Sequence, residues 1–536
     1  MKKSFVHIIV LFLLFPAALL QAQAPALQLK ISTDQQVYIT GEDIWIDLLF
    51  TGSLGNAKTL RIRLLDRSGQ AKAQVEIVPN GQGGSAFMSI PENLPSDYYF
   101  IDAYARGIAT TTSLRPLMII NPLLPPAVCS ASGTTISNAV SSSINIQTDK
   151  QLYAGREEVK LTVTGLSDIQ QLNMAAIRQD RLSVMMDEIA SGRILNLAHD
   201  ANGDVEGEGH HIKAKVMAGG KPLSGLKLIA SLKGSRSSLS TGTTDEMGMV
   251  NFILPLHYGQ TSLTISPSET KGIKPIIEIV EQKTERKNIA FPCLSLKEEM
   301  RTDIEERIFN SRVNKRFYGE ASRAYSIPDR DTSDFYGKPD ERFLLDEYVR
   351  FPNMEEVIAE IIPPLRVKKE NGVQMLQVLN LPTKSFFEKE PLVLVDGVPL
   401  QNSKAVIESD PLLVRSIDLV TRRYYIGEVE FSGIVHFKTY RGDRALLSNG
   451  DNDLITTFKG VQETATLQAP VFTASNDRLP DSRNLLLKEQ SLKPDASGTV
   501  SLRFNTSDAT GNYKIVVKGL NKAGQEIIAS SIITVK

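Results

Sequence analysis

Between residues 26 and 121, short apolar runs alternate with polar turns: 27–31, 44–50, 60–65, 74–78, 86–90 and 98–104. Their length and spacing predict the strands of an antiparallel β-sandwich. The pattern stops at residues 122–143, which are rich in Pro and then in Ser, Ala and Thr, as in a linker. It then returns. Thr33, Asp34, Gln36, Tyr38, Glu42, Asp43 and Ile44 are echoed by Thr148, Asp149, Gln151, Tyr153, Glu157, Glu158 and Val159 at a constant offset of 115. A repeat of that period is one β-domain long, so tandem β-domains are expected.

Residues 203–285 hold four more strand-like runs, HHIKAKVM, GLKLIASLKG, MVNFILP and TSLTISP. The period then changes. Met300, Ile304, Ile308, Val313 and Phe317 recur at near-helical spacing and predict one helix within 294–325. A shorter helix is expected from Met354, with Asn353 as its cap, Glu355 and Glu356 in its first turn, and Pro363-Pro364 as its stop. Asn371-Gly372 centres a hairpin. Residues 392–395 are a continuous apolar run, closed by the turn pair Asp396-Gly397 and by Pro399; Gly397 is expected at positive φ. Residues 417–420 and 434–437 are further β-rich runs, 443–457 are polar, and three more strand-like runs close the chain.

Composition changes this picture little. The 536 residues are 42% apolar and 23% charged, enough for several ordinary cores. A net charge of −1 gives no general pull towards nucleic acid or anionic lipid. The N-terminus reads as a secretory signal, with Lys2 and Lys3 before an apolar stretch from Val6 to Leu20 and a cut placed after Ala22. No other segment is long and apolar enough to span a membrane as a helix, so no transmembrane segment is expected in the mature chain. Two cysteines, Cys129 and Cys293, leave a disulfide and two free thiols both open.

Two stretches carry family resemblances. STDQQVYITGEDIW (32–45) and SIPENLPSDYYFIDAYA (89–105) resemble the macroglobulin-like domains of the alpha-2-macroglobulin family. That family favours T-D-x-x-x-Y-x-x-G-E-x-[VI]-W for the first and L-P-E-x-L-x-x-G-x-Y-x-[IL]-x-A-Y for the second, and Asp97 stands here where the second usually has Gly. DASGTVSLRF and SDATGNYKIVVKG near the C-terminus are similar to the same domains. The turn TTDEMG before MVNFILP resembles immunoglobulin-like and carboxypeptidase-regulatory-like modules. Residues 354–439, with PLVLVDGVPL, SIDLV and GIVHFKT in order, resemble the plug domain of TonB-dependent outer-membrane receptors. The resemblance implies a small α/β plug-like domain. Only 96 residues follow Tyr440, fewer than the ~200 that a 22-stranded barrel needs, so a complete transporter is not expected.

The expected fold is mainly β: tandem macroglobulin/immunoglobulin-like antiparallel β-sandwiches, one small α/β plug-like domain and a helical connector. The expected layout is a signal peptide (1–22), a macroglobulin-like sandwich (23–121), a linker (122–143), a second macroglobulin-like repeat (144–202), an immunoglobulin-like or regulatory-like module (203–285), a helical connector (286–344), the plug-like domain (345–442) and a C-terminal macroglobulin-like sandwich (443–536).

No H-E-x-x-H, G-x-S-x-G or phosphate-binding glycine loop occurs, and neither cysteine begins the Cys-Gly-Glu-Gln word of the macroglobulin thioester. No catalytic residue, cofactor or metal site is expected. His199, Asp200, Asp204, Glu206, Glu208, His210 and His211 combine imidazoles with carboxylates. His210 and His211 are adjacent, however, and in a strand point to opposite faces; Gly203 also comes too early for a calcium loop. A solvated loop is the expectation. Arg422, Arg423, Tyr424 and Tyr425 follow a plug-like strand and form the candidate partner-binding edge, because Tyr and Arg favour anchoring positions. The function expected is a non-catalytic docking scaffold, exported to the periplasm or outer membrane of a Gram-negative bacterium, with an envelope protein as partner. The alternatives are an accessory to TonB-dependent uptake and a thioester-free protease inhibitor of the macroglobulin kind.

Overall fold

The computed structural model describes residues 27–126, 144–190, 195–201, 209–233, 238–268, 274–280, 287–319, 323–326, 333–370, 372–401, 403–442, 453–470, 472, 478–522 and 525–536. The signal segment, and the linker from 127 to 143, lie outside them. The chain is mainly β and built of sandwiches, as its alternating pattern predicts.

In the first sandwich, one sheet runs Asn196–His199, Thr110–Ser113, Leu27–Thr33, Asp43–Thr51, Gly83–Ser89. The other runs Val37–Ile39, Arg115–Ile120, Asp97–Tyr104, Leu60–Leu65, Ala71–Ile77. Leu29, Ile46, Leu48, Ile62 and Ile101 fill the space between them.

The second sandwich has the same strand order, with Asn145–Thr148, Glu158–Thr164 and Val500–Asn505 in one sheet. The other holds Leu152–Tyr153, Glu526–Val535, Gly511–Asn521, Ile169–Gln179 and Leu485–Leu492. The expected second repeat (144–202) and C-terminal sandwich (443–536) are therefore two halves of one domain. In the first sandwich, residues 66–70 join Leu60–Leu65 to Ala71–Ile77 as a tight hairpin. In the second, the equivalent hairpin is opened between Gln179 and Leu485, and residues 180–484 leave and return side by side. Ile177 pairs with Leu485, and the Arg178 N–H donates to the Asn484 carbonyl at 2.7 Å.

The repeated residues hold the same turn in both copies. The Asp34 carboxylate accepts the Tyr38 hydroxyl (2.6 Å) and the Trp45 N–H (2.9 Å). Asp149 accepts the Tyr153 hydroxyl (2.8 Å) and the Lys160 N–H (2.9 Å). Glu42 caps the Ile39 N–H and Glu157 the Ala154 N–H, both at 2.8 Å. Tyr99 and Tyr513 each donate to the carbonyl four residues upstream, Pro95 and Ala509, at 2.9 Å.

The inserted part contains two bodies. A third sandwich packs His210–Ala218, Lys221–Pro222, Met249–Leu254 and Ile276–Ile279 against Ser238–Thr243, Lys227–Leu232, Gln260–Pro267 and Leu454–Lys459. Leu454–Lys459, expected in the C-terminal domain, belongs here. The second body is an α/β unit. Its sheet runs Glu341–Leu344, Val414–Val420, Ile434–Thr439, Leu392–Val395, Val398–Pro399, and the last long pair is parallel. Helix Met354–Ile361 and the small sheet Leu365–Glu370, Val373–Asn380, Ser385–Phe386 cover one face. The Asn353 side chain caps the helix by accepting the Glu356 N–H at 2.9 Å. The unit begins at Glu341, inside the expected connector, because Glu341–Leu344 supplies its edge strand.

The rest of the connector carries the helix expected within 294–325, as Arg301–Phe317, preceded by a non-helical stretch. Residues 289–296 run extended across the outer face of the first sandwich, where Phe291 packs edge-on to Tyr98 (5.0 Å) and Phe100 (5.3 Å). Helix Arg301–Phe317 follows, and helix Arg181–Ala190, which the reading of 144–202 as sandwich overlooked, lays Leu182 and Met186 on the same face. Strand Arg323–Ser326 then pairs with Thr464–Leu467. Cys293 is disulfide-bonded. The one other cysteine in the sequence is Cys129, whose placement lies outside the described residues.

Candidate functional site

Arg422–Tyr425 are brought together at a hairpin, Tyr424–Ile426 paired with Val429–Phe431, but they do not all face the same way. Arg422 pairs with Asp340 and Arg423 with Glu430. The Tyr425 hydroxyl donates to Glu430 at 3.1 Å while its ring stays exposed. Tyr424 turns inward. Its ring meets Phe335 at 5.9 Å, and with Ile426 it joins the apolar contact between the α/β unit and the third sandwich, where Ile229 is buried. The Thr241 hydroxyl of that sandwich donates to the Ile426 carbonyl at 2.6 Å. One of the four residues of the expected partner edge, Tyr424, is thus covered from within the chain, and Arg422, Arg423 and Tyr425 stay exposed.

The same face holds a buried polar network that the sequence reading missed. In Val414–Val420 and Ile434–Thr439, side chains alternate between faces. Ile417, Leu419, Val435 and Phe437 enter the unit's core, so Asp418 and His436 point the other way. The Gly397 N–H donates to His436 Nε2 at 2.9 Å. Nε2 is therefore the acceptor, Nδ1 carries the proton, and Nδ1–H donates to the Tyr336 hydroxyl at 2.7 Å. Tyr336 donates onward to Asp418 at 3.1 Å. Arg342 holds both Asp418 oxygens at 2.6 and 2.7 Å, and Lys438 bridges Asp418 (2.9 Å) to Asp334 (2.6 Å). Burial drives His436 down to about 4, so the imidazole is neutral. Burial would raise the Asp418 carboxyl, but hydrogen bonds and charge from Arg342 and Lys438 outweigh it and hold it below the ordinary range.

Asp334, Asp418 and His436 place their ligand atoms within 4.8 Å of one another. The donor set does not fit a cation. Both imidazole nitrogens are engaged, and Arg342 and Lys438 already neutralise the two carboxylates. The network is a structural lock on the strap that carries Asp334, Phe335 and Tyr336. Polar residues inside otherwise apolar strands, Asp418 in SIDLV and His436 in IVHFKT, were the available signal.

The other histidine cluster does not converge. His199 binds Asp102 at 2.9 Å and stacks on Tyr104 at the edge of the first sandwich. His210 lies in the third sandwich, accepts the His257 N–H at 3.1 Å and packs on Phe458. His210 is buried and His211 half-buried, as strand alternation requires. Asp204, Glu206 and Glu208 lie outside the described residues.

At the opposite end of strand Val414–Val420, apolar side chains remain exposed: Leu344, Tyr348, Val349, Leu412, Leu413 and Tyr440, with Val349 80% and Leu412 60% accessible. Arg350 organises this end. It donates to the Pro411 (3.2 Å) and Val414 (3.1 Å) carbonyls and to the Tyr440 hydroxyl (2.6 Å), and it pairs with Asp346.

No protein-family model matches the chain, and no curated protein does. Among solved structures, the chain is similar to the alpha-2-macroglobulin of Salmonella reacted with methylamine, at 9% identity and a TM-score of 0.23, over 96% of this chain and 40% of that one. It is similar also to the alpha-2-macroglobulin of Escherichia coli activated by porcine elastase, at 9% identity and a TM-score of 0.22, over 95% of this chain and 44% of that one. The chain thus spans less than half the length of either.

Proposed function

We propose that this chain is a non-catalytic docking scaffold of the cell envelope, in which a frame of β-sandwiches presents the plug-like α/β unit to a protein partner. The carrying observation is the uneven cover of that unit. One face is sealed by the third sandwich and the Asp334–Tyr336 strap, while the Val414 end keeps six large apolar or aromatic side chains in solvent around an anchored Arg350. An apolar cluster of this kind, with tyrosines and an arginine at its centre, is what a protein interface uses. The disulfide at Cys293 supports an oxidising compartment. The partner proposed is an envelope protein with a matching apolar surface. Its contact is the Val349–Leu412 end, and the exposed side of the Arg422–Tyr425 hairpin is secondary to it.

Site-specific photo-cross-linking in intact cells tests this. A photoreactive residue at position 349 or 412 should give one discrete adduct, and one at exposed Met247 in the third sandwich should give none. Val349→Glu with Leu412→Glu should abolish the adduct formed from position 440 while leaving the protein folded. Adducts equally abundant from all positions, or none, overturn the proposal.

A further inference from the structure

A cleft of about 680 Å³ opens where the first sandwich, the third sandwich and the strand Arg323–Ser326 meet. Phe87, Tyr258, Gln260, Ser262, Tyr325 and Gln462 are among its lining residues. Its size and its place between domains are those of small-molecule sites.

The back wall is fixed in advance. Phe87 lies under the Arg323 guanidinium at 4.6 Å and against Trp45 at 5.5 Å, and Arg323 is paired to Asp43. Gln462 clamps the Phe87 main chain in both directions, accepting its N–H at 2.9 Å and donating to its carbonyl at 2.7 Å. The turn before the strand Gln260–Pro267 is held by Gly259 N–H to the Val461 carbonyl (2.8 Å) and Val461 N–H to the His257 carbonyl (2.8 Å). In front of this wall, Tyr325 stands edge-on to Phe87 at 6.2 Å with 45% of its surface exposed. Gln260 and Ser262 lie on one face of their strand, two residues apart. Among the described residues neither side chain has an intramolecular hydrogen bond.

The lining selects a ligand class. An exposed aromatic ring beside uncharged hydrogen-bonding groups suits a ring with an apolar C–H face and a rim of hydroxyls. A peptide added as a strand finds no open main-chain row on the floor: Gln260–Ser262 pair with Thr457–Lys459 on one side, and on the other the Ser262 carbonyl already accepts the Lys233 N–H at 3.0 Å. A phosphorylated ligand would want clustered cations, and the lining combines one lysine, Lys233, with the carboxylate of Glu463. We infer that the cleft is an oligosaccharide-binding site, with Tyr325 as the stacking platform and Gln260 and Ser262 as hydroxyl partners. This inference is independent of the docking reading, and its failure leaves that reading standing.

The chain has a single tryptophan, and Trp45 sits directly behind Phe87. Its emission is therefore a built-in reporter. Full-length protein is titrated with maltohexaose, cellohexaose, laminarihexaose and chitohexaose. At least one should give a saturable change in Trp45 emission. Tyr325→Ala and Gln260→Ala should each weaken that titration about tenfold or more, with circular dichroism unchanged, while Tyr425→Ala on the distant hairpin leaves it as it is. Gln260 is exposed, so its variant keeps the test valid if Tyr325→Ala disturbs the fold. No saturable change with any of the four, or a titration unaltered in Gln260→Ala, overturns the assignment.

Discussion

His436 should make the α/β unit acid-sensitive in a way that one substitution removes. Burial lowers its folded-state value from 6.5 to about 4. The unfolded chain, with a histidine near 6.5, therefore takes up its proton first as pH falls. The stability linked to this group is complete above pH 6.5, declines through the window from 6.5 to 4, and is lost below it. About 2.5 pH units at 1.36 kcal/mol each amount to about 3 kcal/mol. The groups facing the ring explain the burden. Asp334, Asp418 and Asp396 favour a second charge, Lys438 opposes it, and desolvation exceeds all of them. His436→Gln keeps an acceptor for the Gly397 N–H and a donor for Tyr336 but cannot titrate. At pH 7 it should cost about 1–2 kcal/mol in packing. By pH 4 it should equal or exceed the natural protein. Hydrogen exchange of peptides covering Ile434–Thr439 and Leu392–Val395, corrected for intrinsic rates, reads this local stability without assuming that the whole chain unfolds as one unit. Parallel pH profiles for the two proteins would refute the neutral-imidazole network.

Asp34 predicts the opposite sign. Burial raises its carboxyl from 3.8 to about 6, so the first sandwich should lose stability as pH rises through that interval, and Asp34→Asn should flatten the profile read by Trp45 fluorescence. Lys488→Ala strands the Asp47 carboxylate in the contact between the first two sandwiches, where Lys488 holds both oxygens at 2.7 Å; the expected loss is about 3–5 kcal/mol, and Asp47→Leu with Lys488→Met should recover most of it. Gly397→Val forces a branched side chain into φ +80° and should cost about 1–2 kcal/mol, seen as faster exchange in Leu392–Val395.

What the sequence made legible was local. Apolar runs gave strands, Asn353 gave a helix start, and Asp396-Gly397 gave a turn with Gly397 at positive φ (80°), where Asp396, not foreseen, also sits (48°). The repeat at offset 115 located a motif whose hydrogen bonds match pair for pair. Pairing partners were not legible, because a strand's pattern tells which face is buried and not which strand lies beside it. Ile169–Gln179 looks the same whether its hairpin partner begins five residues later or at Leu485. Helix Arg181–Ala190 did carry a signal, Leu182 and Met186 one turn apart, that a uniform β reading of 144–202 passed over. The polar network was hidden by its strands: Asp418 and His436 sit in runs that count as apolar, and only the paired register sets them face to face.

The opened hairpin explains how the α/β unit and the frame can serve different ends. A hairpin turn is the part of a sandwich that pairs with nothing beyond its own two strands, and such loops tolerate added chain and carry function. The first copy keeps the short turn at 66–70, and Arg67 in that turn receives the returning insert: its guanidinium donates to the Phe291 carbonyl at 2.6 Å and pairs with Asp97 at 2.8 Å. The second copy carries the insert itself. One duplicated motif thus supplies both the doorway and the seat. The seat is apolar, with Val37, Tyr98, Phe100 and Met118 under Phe291, Leu182 and Met186. The insert's root is therefore buried against the frame, while its far end, at Val349 and Leu412, stays in solvent. That polarity, a buried root and an apolar tip, is what the proposed docking would use, and it comes from where the hairpin opens, without any change to the sandwich that carries it.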